Sequence, residues 1–282
     1  MSLIRSNDAA HLAGADEAAV RRAIASTARP PGASPASAAL TFAWRSVLKV
    51  KHVPEQLTDA TVMPVMFVLM FTYMLGGAVA GSTGEYRDYL VPGVLVMALV
   101  FNTVYSGTAI NVDLTKGVID RFRSLPVARS APLLGSMLGD GVRYLIGGTV
   151  VVLVGVALGY RPGAGVVGVV AALALVVLFS FGLSWAMTAL GLLLRSPNAV
   201  MSAGFTLLFP LTFLSNVFVP PQTLPGPLRA FVDVNPVSIL TTACRGLMEG
   251  TAETADVAVV LAVAVALAAV FLPLTTRLYH RH

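Results

Sequence analysis

Charge is what this sequence has least of. Asp, Glu, Lys and Arg supply 12% of its 282 residues, where a soluble domain carries about 25%, so the chain lacks the polar surface that a water-soluble fold needs. Cysteine is nearly absent as well. Cys244 stands alone, which excludes an intrachain disulfide, a Cys-x-x-Cys redox pair and a cysteine zinc cluster; a small buried or interfacial residue is the reading left for it. The four histidines, His11, His52, His280 and His282, all lie outside the long apolar runs, so Ser184 and Asp140 have no histidine with which to form an intramembrane hydrolase. No G-x-x-x-x-G-K-[ST] loop is present to cradle phosphates, and no polar stretch is long enough for a nucleotide-binding domain. The chain is therefore expected to bind no ATP, Mg or other metal of its own and to be no enzyme. Residues 1–35 contain no apolar stretch of the kind a secretory signal needs; rich in Ala, Pro, Ser and Arg, they read as a disordered cytoplasmic tail ahead of a membrane domain over 36–282.

What is present is apolar. Hydrophobic residues make up 56% of the chain. A helix needs about 20 apolar residues to cross the hydrocarbon core, and six runs qualify: 60–81, 89–111, 133–160, 166–194, 199–219 and 257–276. Only the third holds charge within its limits, Asp140 and Arg143 one helical turn apart. Their place near its beginning reads as an interfacial turn, leaving no ionisable side chain at the centre of any span. A proton relay or a clamp for a charged substrate then has nothing obvious to work with.

The net charge is +5, but the basic residues sit between apolar runs and not on a soluble face, so nucleic acid is not a partner. Their distribution sets orientation instead, because Lys and Arg concentrate on the cytoplasmic side. The segments before the first run and between the second and third carry Arg45, Lys49, Lys51, Lys116, Arg121, Arg123 and Arg129, among others; the opposite side carries Arg87, Arg161, Arg229 and Arg245. Both termini are expected in the cytoplasm.

Three segments outside the runs have a pattern of their own. In 36–53, Leu40, Trp44, Val47 and Leu48 fall on one helical face, with Arg45, Lys49 and His52 largely elsewhere; this fits an amphipathic helix on the inner membrane face, ended by Pro54, with an ordinary cytoplasmic helix as the alternative. In 113–132, six charged residues would cost on the order of 15–20 kcal/mol inside a bilayer, so this segment lies outside. Yet Leu114, Val118, Ile119, Phe122 and Leu125 form an apolar stripe at helical spacing. It packs either on the bundle's own inner surface or on a partner that pushes against it. Residues 220–256 are too long for a plain connection. Their proline-rich start, the apolar residues Leu228, Phe231 and Val232, and a second helical register after Asn235 and Pro236 predict two short helices. These lie on or dip into the outer leaflet, or form a solvated loop; Arg245 and Glu249 are spaced for an i,i+4 pair.

The segments "KVKHVPEQLTDATVMPV", "GSTGEYRDYLVPG", "DLTKGVIDRFRSLP" and "NPVSILTTACRGLMEG", in this order on six runs, resemble the type-2 permeases of ABC transporters, and within them the daunorubicin-resistance exporter branch. The resemblance covers 38–279. It implies an all-α integral membrane protein of the bacterial cell membrane with six transmembrane helices, an N-terminal elbow helix, a cytoplasmic coupling helix and an outer re-entrant helix pair before the last span. It also implies a separate ATP-binding cassette subunit that binds ATP and Mg, and a second permease, identical or different. By carry-over, 49–56 belong to the elbow with Trp44, Lys49 and Lys51 at the lipid surface. Residues 116–125 form the coupling helix, with Lys116, Val118, Ile119, Asp120, Arg121, Phe122 and Arg123 toward the ATPase, and 235–250, with Asn235, Pro236 and Arg245, belong to the re-entrant pair. Where many members carry a Glu-rich run in the coupling helix, this chain has Lys116 to Asp120, so no acidic contact carries over beyond Asp120.

A substrate should match its path. Phe67, Phe71 and Tyr73 in the first run, Phe101, Asn102 and Tyr105 in the second, and Phe205, Phe209, Phe213 and Asn216 in the fifth would suit a hydrophobic or amphiphilic, partly aromatic small molecule. Ordinary packing or lipid contact is the alternative for each. Export of an endogenous lipid or glycolipid by the same machinery is the nearest rival, and a secondary carrier, which would show inverted repeats, a more distant one.

Overall fold

The computed structural model describes Thr41, Trp44 and residues 54–79, 82–118 and 131–281. All the elements below lie in one compact unit, Pro35–His282. The architecture is all-α: α1 (Pro54–Val79), α2 (Thr83–Thr115), α3 (Ala131–Ala157), α4 (Gly165–Leu193), α5 (Pro197–Phe213), a 3-10 turn (Pro221–Thr223), α6 (Gly226–Val234), α7 (Pro236–Glu249) and α8 (Thr254–Arg281).

Helix boundaries follow local chemistry. Ser82 caps α2, its hydroxyl accepting from the Glu85 N–H at 3.2 Å, the Ser-x-x-Glu arrangement that satisfies the orphan donors of a first turn. Ser196 does the same for α5 ahead of Pro197, which needs no donor at the first position. Gly250 ends α7 with φ +78, the left-handed conformation that glycine adopts without a Cβ penalty. The fifth apolar run, 199–219, is helical only to Phe213. Ser215 breaks it by donating to the Thr212 carbonyl and accepting from the Val217 N–H, and the turn folds Val217 and Phe218 into the core.

α2 is the central helix. It packs against α1, α3, α4, α5 and α7, and each residue from Leu90 to Val100 is buried. Its crossing with α4 is set by glycines: a Cβ on Gly107 would collide with the Met187 carbonyl oxygen, and one on Gly191 with that of Gly107. Only backbones without side chains come this close. α8 lies against α4 and α7 and leaves Val265 and Val270 largely exposed. Met63, Met66 and Met70 of α1 and Leu207 and Phe209 of α5 are likewise exposed. An apolar surface of this kind is untenable in water and natural against lipid chains.

Four described helices are long and apolar enough to cross a membrane, over Thr83–Thr115, Pro132–Ala157, Gly165–Leu193 and Thr254–Arg281; α1 contributes the shorter apolar stretch Val62–Met74, and α5 has 17 residues. The chain is a multi-pass helical membrane protein.

One expectation is overturned here. Asp140 and Arg143 do not mark an interfacial turn: α3 runs unbroken through both, and Arg143 lies twelve positions after Ala131 and fourteen before Ala157. They are only 7% and 5% exposed. The helix holds them well inside its length because they neutralise each other at 2.9 Å and Arg143 finds further partners on α2.

Candidate functional site

The aromatic residues expected along a path fall into two groups. Phe67 and Phe71 of α1 stack at 5.5 Å, Phe209 and Phe213 of α5 at 4.1 Å, and Phe218, which the sequence reading left out, joins them at 4.8 Å from Phe71 and 5.1 Å from Phe213. The turn after α5 is what delivers Phe218 to this place. Phe101 of α2 pairs separately with Phe205 of α5 at 5.6 Å. Tyr73 joins neither group and is 67% exposed on α1. The α1–α5 and α2–α5 seams thus carry rings that are polarizable, only partly buried in several cases, and free of charge, a surface suited to flat apolar molecules.

Two polar networks flank these seams. The first joins α7 to α2. Arg245 places its guanidinium 3.8 Å from the Tyr89 ring centre and donates to the Tyr89 carbonyl from Nε and Nη2, at 3.3 and 3.1 Å, and to the Asn216 carbonyl at 3.3 Å. The Tyr89 hydroxyl donates to the same Asn216 carbonyl at 2.7 Å, and Asn216 Nδ2 reaches Thr242 at 2.8 Å. Arg245 therefore does not pair along its own helix with Glu249, whose carboxylate accepts from Tyr160 at 3.0 Å; the carbonyls at the α2–α5 junction offer Arg245 partners that are buried and fixed. The Asn235 side chain caps the start of α7 and the end of α5. Its Oδ1 accepts from the Val237 N–H at 2.9 Å, while Nδ2 donates to the Leu211 and Leu214 carbonyls at 2.7 and 2.9 Å, with Pro236 at the first position of α7. Burial lowers the Arg245 pKa from its ordinary value, an effect opposed by Tyr89, and pushes the Cys244 thiol up to about 12. Tyr160 is raised, first by burial and then by the Glu249 carboxylate.

The second network lies between α2 and α3. Arg143 Nη2 donates to the Asn102 carbonyl at 3.2 Å and to Ser106 Oγ at 3.3 Å, and Ser106 Oγ is 2.8 Å from the Tyr144 hydroxyl. The Tyr105 and Tyr144 rings stand 6.0 and 5.6 Å from the guanidinium. Asn102 and Tyr105, both expected on the path, belong to this charged cluster and not to the aromatic groups. The two charges inside the third apolar run were the sequence signal for it.

At the other end of α2, Asn111 donates to the Gly191 and Leu194 carbonyls of α4 at 2.8 and 2.7 Å. Lys116 then ends the helix, exposed, followed by Gly117 at φ +65 and half-buried Val118. Ile119, Asp120, Arg121, Phe122 and Arg123 lie outside the described residues, as do Lys49 and Lys51. Trp44 is helical and 64% exposed.

Residues 38–248 match the family model described as ABC-2 type transporter. The chain is 47% identical over 260 residues, 92% of each chain, to the daunorubicin resistance ABC transporter permease protein DrrB1 of Streptomyces coeruleorubidus. It is 26% identical over 195 residues, 68% of this chain and 69% of the relative, to the probable doxorubicin resistance ABC transporter permease protein DrrC of Mycobacterium tuberculosis. To the doxorubicin resistance permease DrrB of the same organism it is 29% identical over 135 residues, 48% of this chain and 47% of the relative. An all-helical membrane bundle with this family match over most of its length and near-full-length likeness to a permease has one placement: the chain belongs to the ABC-2 type transporter family.

Proposed function

We propose that the chain is the membrane permease of an ATP-driven exporter that moves amphiphilic, partly aromatic small molecules of the drug type out of the cell. The observation that carries this reading is the 47% identity over 92% of each chain to a daunorubicin resistance permease. The uncharged phenylalanine seams between α1, α2 and α5 support it, since fused-ring cargo binds best by stacking and area burial. α1 to α5 and α8 are the six spans, with both termini cytoplasmic, and α6 and α7 form the outer re-entrant pair that Arg245 and Asn235 hold down. The elbow helix around Trp44 rests on the inner lipid face.

ATP and Mg bind to a separate cassette subunit, and two permeases, with two such subunits, make the working exporter. Residues 116–125 receive the motion of the ATPase. A ligand moves such an equilibrium only by its difference in affinity for the two states; ATP supplies the larger difference, and cargo rides on the resulting change of access. The test is efflux of daunorubicin from cells holding the chain with and without its cassette subunit. ATP-dependent efflux only with both supports the reading. A complex that forms without moving the drug turns the cargo toward an endogenous lipid or glycolipid, and failure to form a complex overturns the permease role.

A further inference from the structure

α2 and α3 are the two helices that flank the segment 116–130. Counting back along α2 from Thr115, thirteen residues reach Asn102; counting forward along α3 from Ala131, twelve reach Arg143. At 1.5 Å per residue these are about 20 and 18 Å. The Arg143 contacts to the Asn102 carbonyl and Ser106 therefore pin the two helices together at matching distances from their ends at Thr115 and Ala131. Two helices consecutive in the chain and tied again well inside their lengths by charge-assisted hydrogen bonds move as one body.

Stability alone explains the pair poorly. Asp140 and Arg143 would neutralise each other at i,i+3 without any reach to α2, and replacing a buried ion pair by apolar side chains is often neutral or favourable. Among the described residues, Arg143 Nε and Asn102 Oδ1 are buried with no hydrogen-bond partner, which costs free energy in a low-dielectric site. Intramembrane charge kept under these conditions points to function. An aromatic contact is adjacent: Phe101, next to Asn102, meets Phe205 of α5 in a tilted pair at 5.6 Å.

We propose that Asp140 and Arg143 form an intramembrane clamp that makes α2 and α3 a single lever, so that displacement of the coupling segment is delivered to the α2 face carrying Phe101. Arg143 is a positioning residue for transport. This rests on the exporter reading, and two measurements separate the clamp from that reading.

The first needs no cargo. Nitroxide labels on Thr115→Cys of α2 and Leu138→Cys of α3, both exposed, are placed in a Cys244→Ser chain diluted with unlabelled chain and assembled with its cassette subunit. With Arg143 intact, the intrachain distance distribution is the same in nucleotide-free and vanadate-trapped complexes. With Asp140→Asn and Arg143→Gln together, trapping produces a second population. A wild-type distance that shifts on trapping overturns the clamp, because the helices then move separately.

The second is daunorubicin moved per ATP hydrolysed in proteoliposomes. The double variant should lose on the order of tenfold in this ratio, the size of a typical coupling between sites, while ATP hydrolysis persists; Arg143→Lys, which keeps the charge beside Asp140, should recover part of it. A merely structural role lowers hydrolysis and transport in proportion and leaves the ratio unchanged, which overturns the proposal. Wild-type complex that hydrolyses ATP without moving the drug counts against the drug as cargo, failure to form a complex counts against the exporter reading, and the distance measurement still decides the clamp.

Discussion

Arg245 of α7 covers the Tyr89 ring of α2 at 3.8 Å and donates twice to the same residue's carbonyl oxygen. One side chain thus satisfies a helix carbonyl, stacks on an aromatic face and, through the Asn216 carbonyl, holds the end of the α5 turn. α7 is fastened to the central helix at a place where α6 has no comparable anchor, only Val232 being buried in it.

Arg245→Met should release this fastening. Hydrogen bonds from a charged donor contribute about 1.5–3 kcal/mol each way they are measured, so the purified permease should lose roughly 2 kcal/mol, read as a lower melting temperature in detergent. Protease cleavage within 220–235 should accelerate, with the spans left intact. Arg245→Lys, keeping charge but not the planar stacking, should fall between. A Met variant with wild-type melting and cleavage would show that α7 is held by its apolar contacts alone.

Gly107 and Gly191 mark the α2–α4 crossing, where an added Cβ meets carbonyl oxygen in both directions. Backbone cannot yield as a flexible side chain does, and overpacking of this kind costs about 1–3 kcal/mol or more. Gly107→Ala and Gly191→Ala should each reduce folded yield and melting temperature. Gly141→Ala is the control, since nothing lies within 4 Å of its Cβ position; better helix propensity should leave it neutral or up to about 1 kcal/mol more stable.

Cys244 is fully buried on the face of α7 that meets α2, and burial holds its thiol up to about 12. Thiolate is the reactive species, so maleimide labelling of native protein should be very slow at pH 7 and rise about tenfold per pH unit while the fold persists. Denatured chain should label at once. The sign for stability follows from the same shift. The folded state keeps the proton that an exposed thiol gives up near pH 8.5, so this group's contribution is intact below that pH and declines as pH rises through it toward 12. Rapid labelling of native protein at pH 7 would mean that α7 is not packed on α2.

Much of the bundle was legible because apolar run length is set by the bilayer: the runs at 89–111, 133–160, 166–194 and 257–276 each fall within or over a long helix, α2, α3, α4 and α8. The two short helices after residue 220 were legible too, through Pro225, Asn235 and Pro236 as start signals. The end of α5 was not, because Ser215 stops the helix by hydrogen-bonding its own backbone, and composition treats 214–219 as more of the same apolar run. The fate of Arg245 was misread for a related reason. Its spacing to Glu249 fits a helix pair, but tertiary contact gave Arg245 to Tyr89 and Glu249 to Tyr160. Asp140 and Arg143 were visible as charges, yet a run of sequence does not reveal that α2 passes close enough to accept hydrogen bonds from Arg143 well inside both helices.

The coupling assignment rests on 116–125, whose charges forbid insertion and whose apolar stripe asks for a surface. Arg121 and Arg123, with Lys116, supply the positive charge of that segment. If it docks on the cassette subunit, reversing both to Glu sets like charge against whatever acidic groups received them, a change that acts on association and its salt dependence. A loss of about 1.4 kcal/mol is tenfold in Kd, so co-purification of the cassette subunit should fall at least tenfold, with the helical content of the bundle unchanged. Arg161→Glu, between α3 and α4 on the face expected outside, should leave the complex as it was. Wild-type association should also weaken as ionic strength rises, since exposed charges more than about 10 Å apart are screened at 0.1 M salt. If Arg121→Glu with Arg123→Glu leaves association untouched while Arg161→Glu disrupts it, the orientation is inverted and the segment 116–125 faces the exterior.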